Sequence, residues 1–346
     1  MKDLQQLVRE NIWLLPPYST ARTQFSDSDI KVLLDANESP FNSPYNRYPD
    51  PLQRLLKTAL SKIKDIPIEN IFLGNGTDEA IDLVCRVFCR PRIDNVVAID
   101  PTYRMYKVCA DVNDIEYRAV SLDEKFQIKA EQLLAATDEN TKVIWICSPN
   151  DPSGNNINRE EVAKVIKSFE GIVVVDEAYS DFSTQKTFRS ELYNHPNLIV
   201  LNTLSKAWGC AAFPLGVAFA SKEVIDIFNK VKFPYNVNTF TQQKAMEMMH
   251  HPYQVFDWVK MIIQSREIMM ESFKALPVCI RVFPSDANFF LAKMTDAQAI
   301  YEYLAKNGFL VTNCAQIHLC EDCLRITIGT RRENQALMAL LRKYNQ

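Results

Sequence analysis

The chain has 346 residues, 47% of them apolar and 23% charged, which is enough for a sizeable core and two domains and excludes a disordered chain or a small disulfide-stapled fold. A formal net charge of -3, with no long block of one sign, excludes the footprint of a nucleic-acid or membrane binder and leaves small molecules as partners. No apolar run approaches the roughly 18 residues of a membrane span, and a start containing Asp3, Arg9, Glu10 and Arg22 is no signal peptide, so a cytoplasmic protein is expected.

Residues 1–45 are punctuated by Pro, Asn and Ser around one early helix, and are expected to form an arm that packs on a small domain or on a partner subunit. Residues 46–275 are expected to form the large domain. Amphipathic segments such as 52–62 and 159–169 alternate there with short apolar runs: NVVAI at 95–99, KVIWIC at 142–147, IVVVDEA at 172–178, LIVL at 198–201 and GVAFA at 216–220. Such alternation predicts a buried, mostly parallel sheet with helices on both faces, an α/β fold whose ligand sits where strands end. A helical stretch over 222–275 ends in a long segment, 253–275. Residues 276–346 change character, with strand-like IRVF, NFFLA, GFLVT and LRITIG and helices over 296–307 and 332–344, which describes a small α+β domain.

Five stretches carry residues that chemistry can use. GNGTDEAI at 74–81 is a glycine turn opening a helix; Gly76, Thr77 and Asp78 can present backbone amides to a phosphate, though a helix cap at Thr77 or Asp78 explains the stretch equally well. SPNDPSG at 148–154 leaves the KVIWIC run and can be read as a proline-rich turn. Asp176 and Glu177 end a buried run, where an acid needs a cationic or hydrogen-bonding partner, and Tyr179 follows; a structural salt bridge is the plain alternative. Lys206 stands beside Ser205 in almost uncharged surroundings. Arg325 lies in an alternating strand, where its guanidinium can fork onto a substrate carboxylate or an internal one.

Nine cysteines are an odd number without the spacing of a disulfide framework and read as reduced thiols. Cys314, His318, Cys320 and Cys323 contain a single close pair, short of a structural zinc site. No metal is expected.

Taken together, in this order, a phosphate cradle, an amide, an acid, a phenol and an isolated amine are the parts needed to hold pyridoxal 5'-phosphate. With RENIWLLPPY at 9–18, LLDANESP at 33–40, NRYPDP at 46–51, PTYRMY at 101–106, TLSKAWG at 203–209 and LRITIGTRREN at 324–334, the sequence resembles the fold-type I, class II aminotransferases over nearly its whole length, and most closely the histidinol-phosphate aminotransferases. The resemblance implies a seven-stranded central sheet and a homodimer with shared active sites. It implies transamination between L-histidinol phosphate and 2-oxoglutarate, that is, a small-molecule amino donor and a 2-oxo acid. By the same resemblance Lys206 bonds the cofactor aldehyde and moves the proton, Asp176 holds the pyridine nitrogen, Asn150 and Tyr179 bond the ring oxygen, and Tyr103 stacks on the ring. Gly76, Thr77, Asp78 and Ser205 hold the phosphate, with Tyr48 arriving from the other subunit. Arg325 binds the anionic end of the substrate, and Tyr18, Asn37 and Glu38 line the entrance.

Four positions depart from the family pattern. Pro214 stands where the family has a phosphate-gripping arginine, Arg104 replaces a glycine beside Tyr103, Asp151 replaces the second asparagine of the turn, and Thr312 replaces a substrate-side arginine. A related aromatic aminotransferase, a threonine-phosphate decarboxylase or a member that binds cofactor poorly are the alternatives these departures raise.

Overall fold

A computed structural model describes residues 3–17 and 32–344. Seven strands, β1 (Ile71–Gly74), β2 (Asn95–Asp100), β3 (Glu116–Ser121), β4 (Thr141–Cys147), β5 (Ile172–Asp176), β6 (Leu198–Thr203) and β7 (Gly216–Phe219), form one sheet in the order β1-β7-β6-β5-β4-β2-β3. The pairs among β2 to β6 are parallel, and β7 runs antiparallel to both its neighbours. The continuous apolar runs follow from burial on both faces. In β4, Ile144 and Ile146 join the core formed with the helices Arg54–Lys64 and Arg159–Ser168, while Val143 and Trp145 join the opposite core, formed with Gly76–Phe88, Met105–Val112 and Lys222–Val231.

The long helix Pro252–Lys274 leads to the second sheet. Its strands β8 (Cys279–Val282), β9 (Phe289–Met294), β10 (Thr312–Asn313) and β11 (Cys323–Thr327) pair antiparallel in the order β10-β11-β9-β8, backed by the helices Ala297–Lys306 and Arg331–Lys343. This smaller core draws in Met269 and Phe273, so the last turns of the long helix serve the small domain.

Residues 3–17 of the expected arm pack on the helices of the seven-stranded sheet rather than on the second sheet. Leu7 and Val8 are buried in the core of the Gly76–Phe88 face, the Arg9 amide and guanidinium bond to Val87 and Arg86 carbonyls, and Lys230 donates to the Trp13 carbonyl at 3.3 Å. The helix Gly76–Phe88 exposes two carbonyls at its C-terminal end, and an arginine and an apolar pair together satisfy and cover that end.

Candidate active site

The carboxyl ends of β4, β5 and β6 meet at one edge of the large sheet. Cys147 and Asp176 are register partners across β4 and β5, and Thr203 at the end of β6 faces Gly216 at the start of β7. Lys206 follows three residues beyond β6. Cys147, Asp176, Thr203 and Lys206 line a cavity of about 270 Å³ together with Gly76, Thr77, Asp78, Tyr103, Tyr179, Ser205 and Pro214.

Asp176 is 2% exposed. Its Oδ2 accepts the Tyr106 hydroxyl at 2.8 Å and its Oδ1 accepts the Ala178 amide at 3.0 Å, and among the described residues it has no ion-pair partner. Burial raises its pKa against the lowering effect of these two bonds. A buried carboxylate held by two donors and lacking a cation is built to meet one from outside the chain. Tyr106, which stacks on Trp145 at 4.8 Å, is a supporting residue that sequence reasoning missed; it reads as an ordinary apolar position on the Met105–Val112 helix.

Glu177, the neighbouring acid, points away from the cavity. Its carboxylate accepts the Thr187 hydroxyl and the Phe188 amide, and burial pushes its pKa up to about 7. Lys206 is exposed at the cavity mouth, its Nζ 5.4 Å from the centre of the Tyr179 ring.

On the opposite side, Gly76 opens its helix with φ +73°, a conformation that favours glycine. A Cβ on Gly216 would lie 2.1–2.2 Å from Gly76 and Thr77 backbone atoms, so only glycine lets β7 approach the turn so closely. First-turn amides of Gly76, Thr77 and Asp78 and the Ser205 hydroxyl thus border one small volume at a helix N-terminus, a fit to a phosphate group. Tyr103 borders it as well, its hydroxyl donating to Asp78 at 3.1 Å. Among the described residues, Lys206 is the single cation that lines the cavity. Pro214 faces the cavity, while Arg104 is exposed at the start of its helix and does not line it.

The turn after β4 differs from expectation. Asn150 is fully buried and its amide is spent within the large domain: Nδ2 donates to the Pro101 carbonyl and to Ser153, and Oδ1 accepts from Thr102. The side chain beside Tyr179 is that of the next residue, Asp151. Its Oδ2 accepts the Tyr179 hydroxyl at 3.0 Å and its Oδ1 is ion-paired with Arg325. Arg325 arrives from β11 and also donates to Thr312 on β10, its cross-strand partner, at 3.2 Å.

Other expected residues stand apart from this cavity. Glu38 pairs with Arg47 at 2.7 Å and accepts the Tyr48 amide at 2.6 Å, Asn37 is exposed with φ 55°, and the half-exposed Tyr48 stacks on Tyr235 at 4.3 Å. Tyr18 lies outside the described residues. His318 contacts Ser121, and among the described residues no group of three or more His, Cys, Asp or Glu side chains is arranged to hold a metal.

The uncompensated Asp176, the helix N-terminus across the cavity and the amine at its mouth fit the pyridine nitrogen, phosphate and aldehyde of pyridoxal phosphate. The profile of the aminotransferase class I and II family matches residues 22–341. The chain belongs to this family. It is 57% identical over 344 residues to a histidinol-phosphate aminotransferase of Bacteroides thetaiotaomicron, covering 99% of both chains, and 58% identical to one of Bacteroides fragilis, covering 99% of this chain and 100% of the relative. Among solved structures, the histidinol-phosphate aminotransferase of Sinorhizobium meliloti in complex with pyridoxal-5'-phosphate superposes with a TM-score of 0.79 over 86% of this chain and 82% of that one, at 21% identity. The fold is therefore fold-type I, as the sequence suggests.

Proposed function

We propose that this aminotransferase uses pyridoxal phosphate to move an amino group between L-histidinol phosphate and 2-oxoglutarate, a step of histidine synthesis. The observation that carries the reading is identity above 55% to histidinol-phosphate aminotransferases over essentially the entire chain. The same identities do not favour an aromatic aminotransferase or a decarboxylase.

Bound cofactor supplies an electron sink for the pair left when the substrate α-carbon loses its proton. The chain supplies the rest. Asp176 holds a proton on the ring nitrogen by presenting a buried negative charge, and Tyr106 fixes that carboxylate. Lys206 Nζ would hold the cofactor through its aldehyde and is the amine placed to carry the proton at the reacting atoms. With the cofactor bound, Tyr103 would bound one face of the ring, the Tyr179 hydroxyl, which here donates to Asp151, would turn to the ring oxygen, and the Gly76–Asp78 amides with Ser205 would hold the phosphate. Asn150 acts through the shape of the turn, since its amide is already occupied. Arg325 receives the anionic group of the substrate.

A homodimer with shared sites is part of the reading. It is supported by the exposed Tyr45 and Tyr48, which lie on the segment that also carries Asn37 and Glu38 and pack on Phe240 and on the half-buried Tyr235, respectively. A cytoplasmic location is supported by nine unpaired cysteines, eight of them buried, and no described helix is long and apolar enough to cross a membrane. Purified protein supplied with cofactor, L-histidinol phosphate and 2-oxoglutarate should form glutamate, and Lys206→Ala should lower the rate by several orders of magnitude. Glutamate formation that survives Lys206→Ala contradicts the assignment.

A further inference from the structure

Arg325 stands beside the cavity with both terminal nitrogens engaged: Nη1 is ion-paired with Asp151 Oδ1, and Nη2 donates to Thr312 Oγ1 at 3.2 Å. The second Asp151 oxygen accepts the Tyr179 hydroxyl, and Tyr179 lines the cavity. Asp151 itself is 8% exposed, on the turn between β4 and the Arg159–Ser168 helix, whereas Arg325 belongs to the small domain. The guanidinium, linked to the cavity through Asp151 and Tyr179, is thus already matched by a carboxylate of the chain.

We propose that Asp151 is a specificity-determining residue, a resident carboxylate that competes with substrate anions for Arg325. The inference rests on Arg325 receiving the anionic end of the substrate, as proposed above. A carboxylate only accepts hydrogen bonds, and the Asp151–Arg325 pair carries no net charge. An incoming carboxylate or phosphomonoester must take Nη1 from Asp151 and then lie next to the negative charge it displaces. The penalty grows with the charge of the ligand, so a dianion loses more than a monoanion. An asparagine of the same shape keeps a carbonyl oxygen for the Tyr179 hydroxyl and turns the competing oxygen into an N–H donor. Because the competition is felt by bound substrate and transition state alike, it raises KM and leaves kcat nearly unchanged.

The test is calorimetric titration of the cofactor-loaded protein with glutarate, an unreactive dicarboxylate, and with propionate. Asp151→Asn should bind glutarate about tenfold more tightly, with a smaller gain for propionate, and the gain should shrink in high salt. Asp151→Ser, should the asparagine variant fail to fold, carries the same expectation. In steady state the KM for 2-oxoglutarate should fall in parallel while kcat stays within about twofold. Arg325→Gln should abolish the glutarate gain in either background. If Asp151→Asn binds glutarate equally or more weakly while Arg325→Gln loses it, Asp151 merely positions Arg325 and the proposal falls with the function intact. If Arg325→Gln leaves glutarate binding unchanged, the anion does not sit at Arg325, and the functional placement falls together with the proposal.

Discussion

At the scale of single residues, Pro214 bears on how firmly the proposed phosphate site holds its ligand. It lines the cavity and offers neither charge nor N–H, and among the described residues no arginine lines the cavity in its place, Arg104 being turned to solvent. A charge-assisted hydrogen bond is worth about 1.5–3 kcal/mol, or roughly one to two decades in affinity. Pro214→Arg is therefore expected to tighten pyridoxal phosphate about ten- to a hundredfold in an equilibrium titration; unchanged affinity would mean that the helix amides and Ser205 already satisfy the phosphate. Residue identity was legible at Lys206, Asp176 and Tyr179 because each breaks its surroundings: a lone amine, and polar groups closing an apolar run. Asn150 and Asp151 were harder. Both are small polar residues in one turn, and which of them faces the site is fixed by the path of the chain and by the reach of Arg325 from another domain, neither of which a local pattern encodes.

Elements follow the same logic. The five runs read as strands are continuous and apolar because helices bury both faces, and the helices at 54–64, 159–168 and 297–306 fall within two residues of their expected ends. β3, EYRAVS, passed unnoticed because it is an edge strand with half-exposed, partly charged side chains, and β1 did so because it is four residues long; the GFLVT run at 308–312 meets the two-residue β10 only at Thr312. At the end of β5, Glu177 anchors the segment that begins the short helix Phe188–Glu191. Its folded pKa of about 7 lies above the model-peptide value of 4.5, so the folded chain holds a proton there that the unfolded chain has lost. Glu177 thus makes stability fall as pH rises from about 4.5 to about 7, and the slope ends above that window. Glu177→Gln keeps an acceptor for the Phe188 amide and removes the titration. Chemical denaturation between pH 5 and 8 should show a flatter profile for this variant than for wild type, and identical slopes would place the charge of Glu177 in a better solvated environment than its burial indicates.

At the scale of the whole molecule, Tyr48, Asn37 and Glu38 bear on the proposed dimer. Within one chain they form a surface cluster held by Arg47 and Tyr235, away from Lys206. If Tyr48 serves the neighbouring subunit's site, a Lys206→Ala chain and a Tyr48→Ala chain, each nearly inactive, should complement on mixing and refolding together. Half the dimers are then mixed and each has one intact site, so about a quarter of wild-type activity should return. No recovery, in a preparation that sediments as a dimer, would place Tyr48 outside the site.

The central claim is that the amine at the mouth of this cavity and the buried acid beneath it handle the amino group of histidinol phosphate. The visible absorption spectrum of the protein loaded with pyridoxal phosphate, recorded before and after L-histidinol phosphate is added, tests it most directly. The account predicts a long-wavelength band from lysine-bound cofactor that is absent in Lys206→Ala. L-histidinol phosphate should convert it to the near-ultraviolet absorption of pyridoxamine phosphate, and 2-oxoglutarate should restore it. A lysine-bound band that histidinol phosphate leaves untouched would contradict the substrate, and a protein that shows no such band even at high cofactor would contradict the chemistry assigned to Lys206 and Asp176.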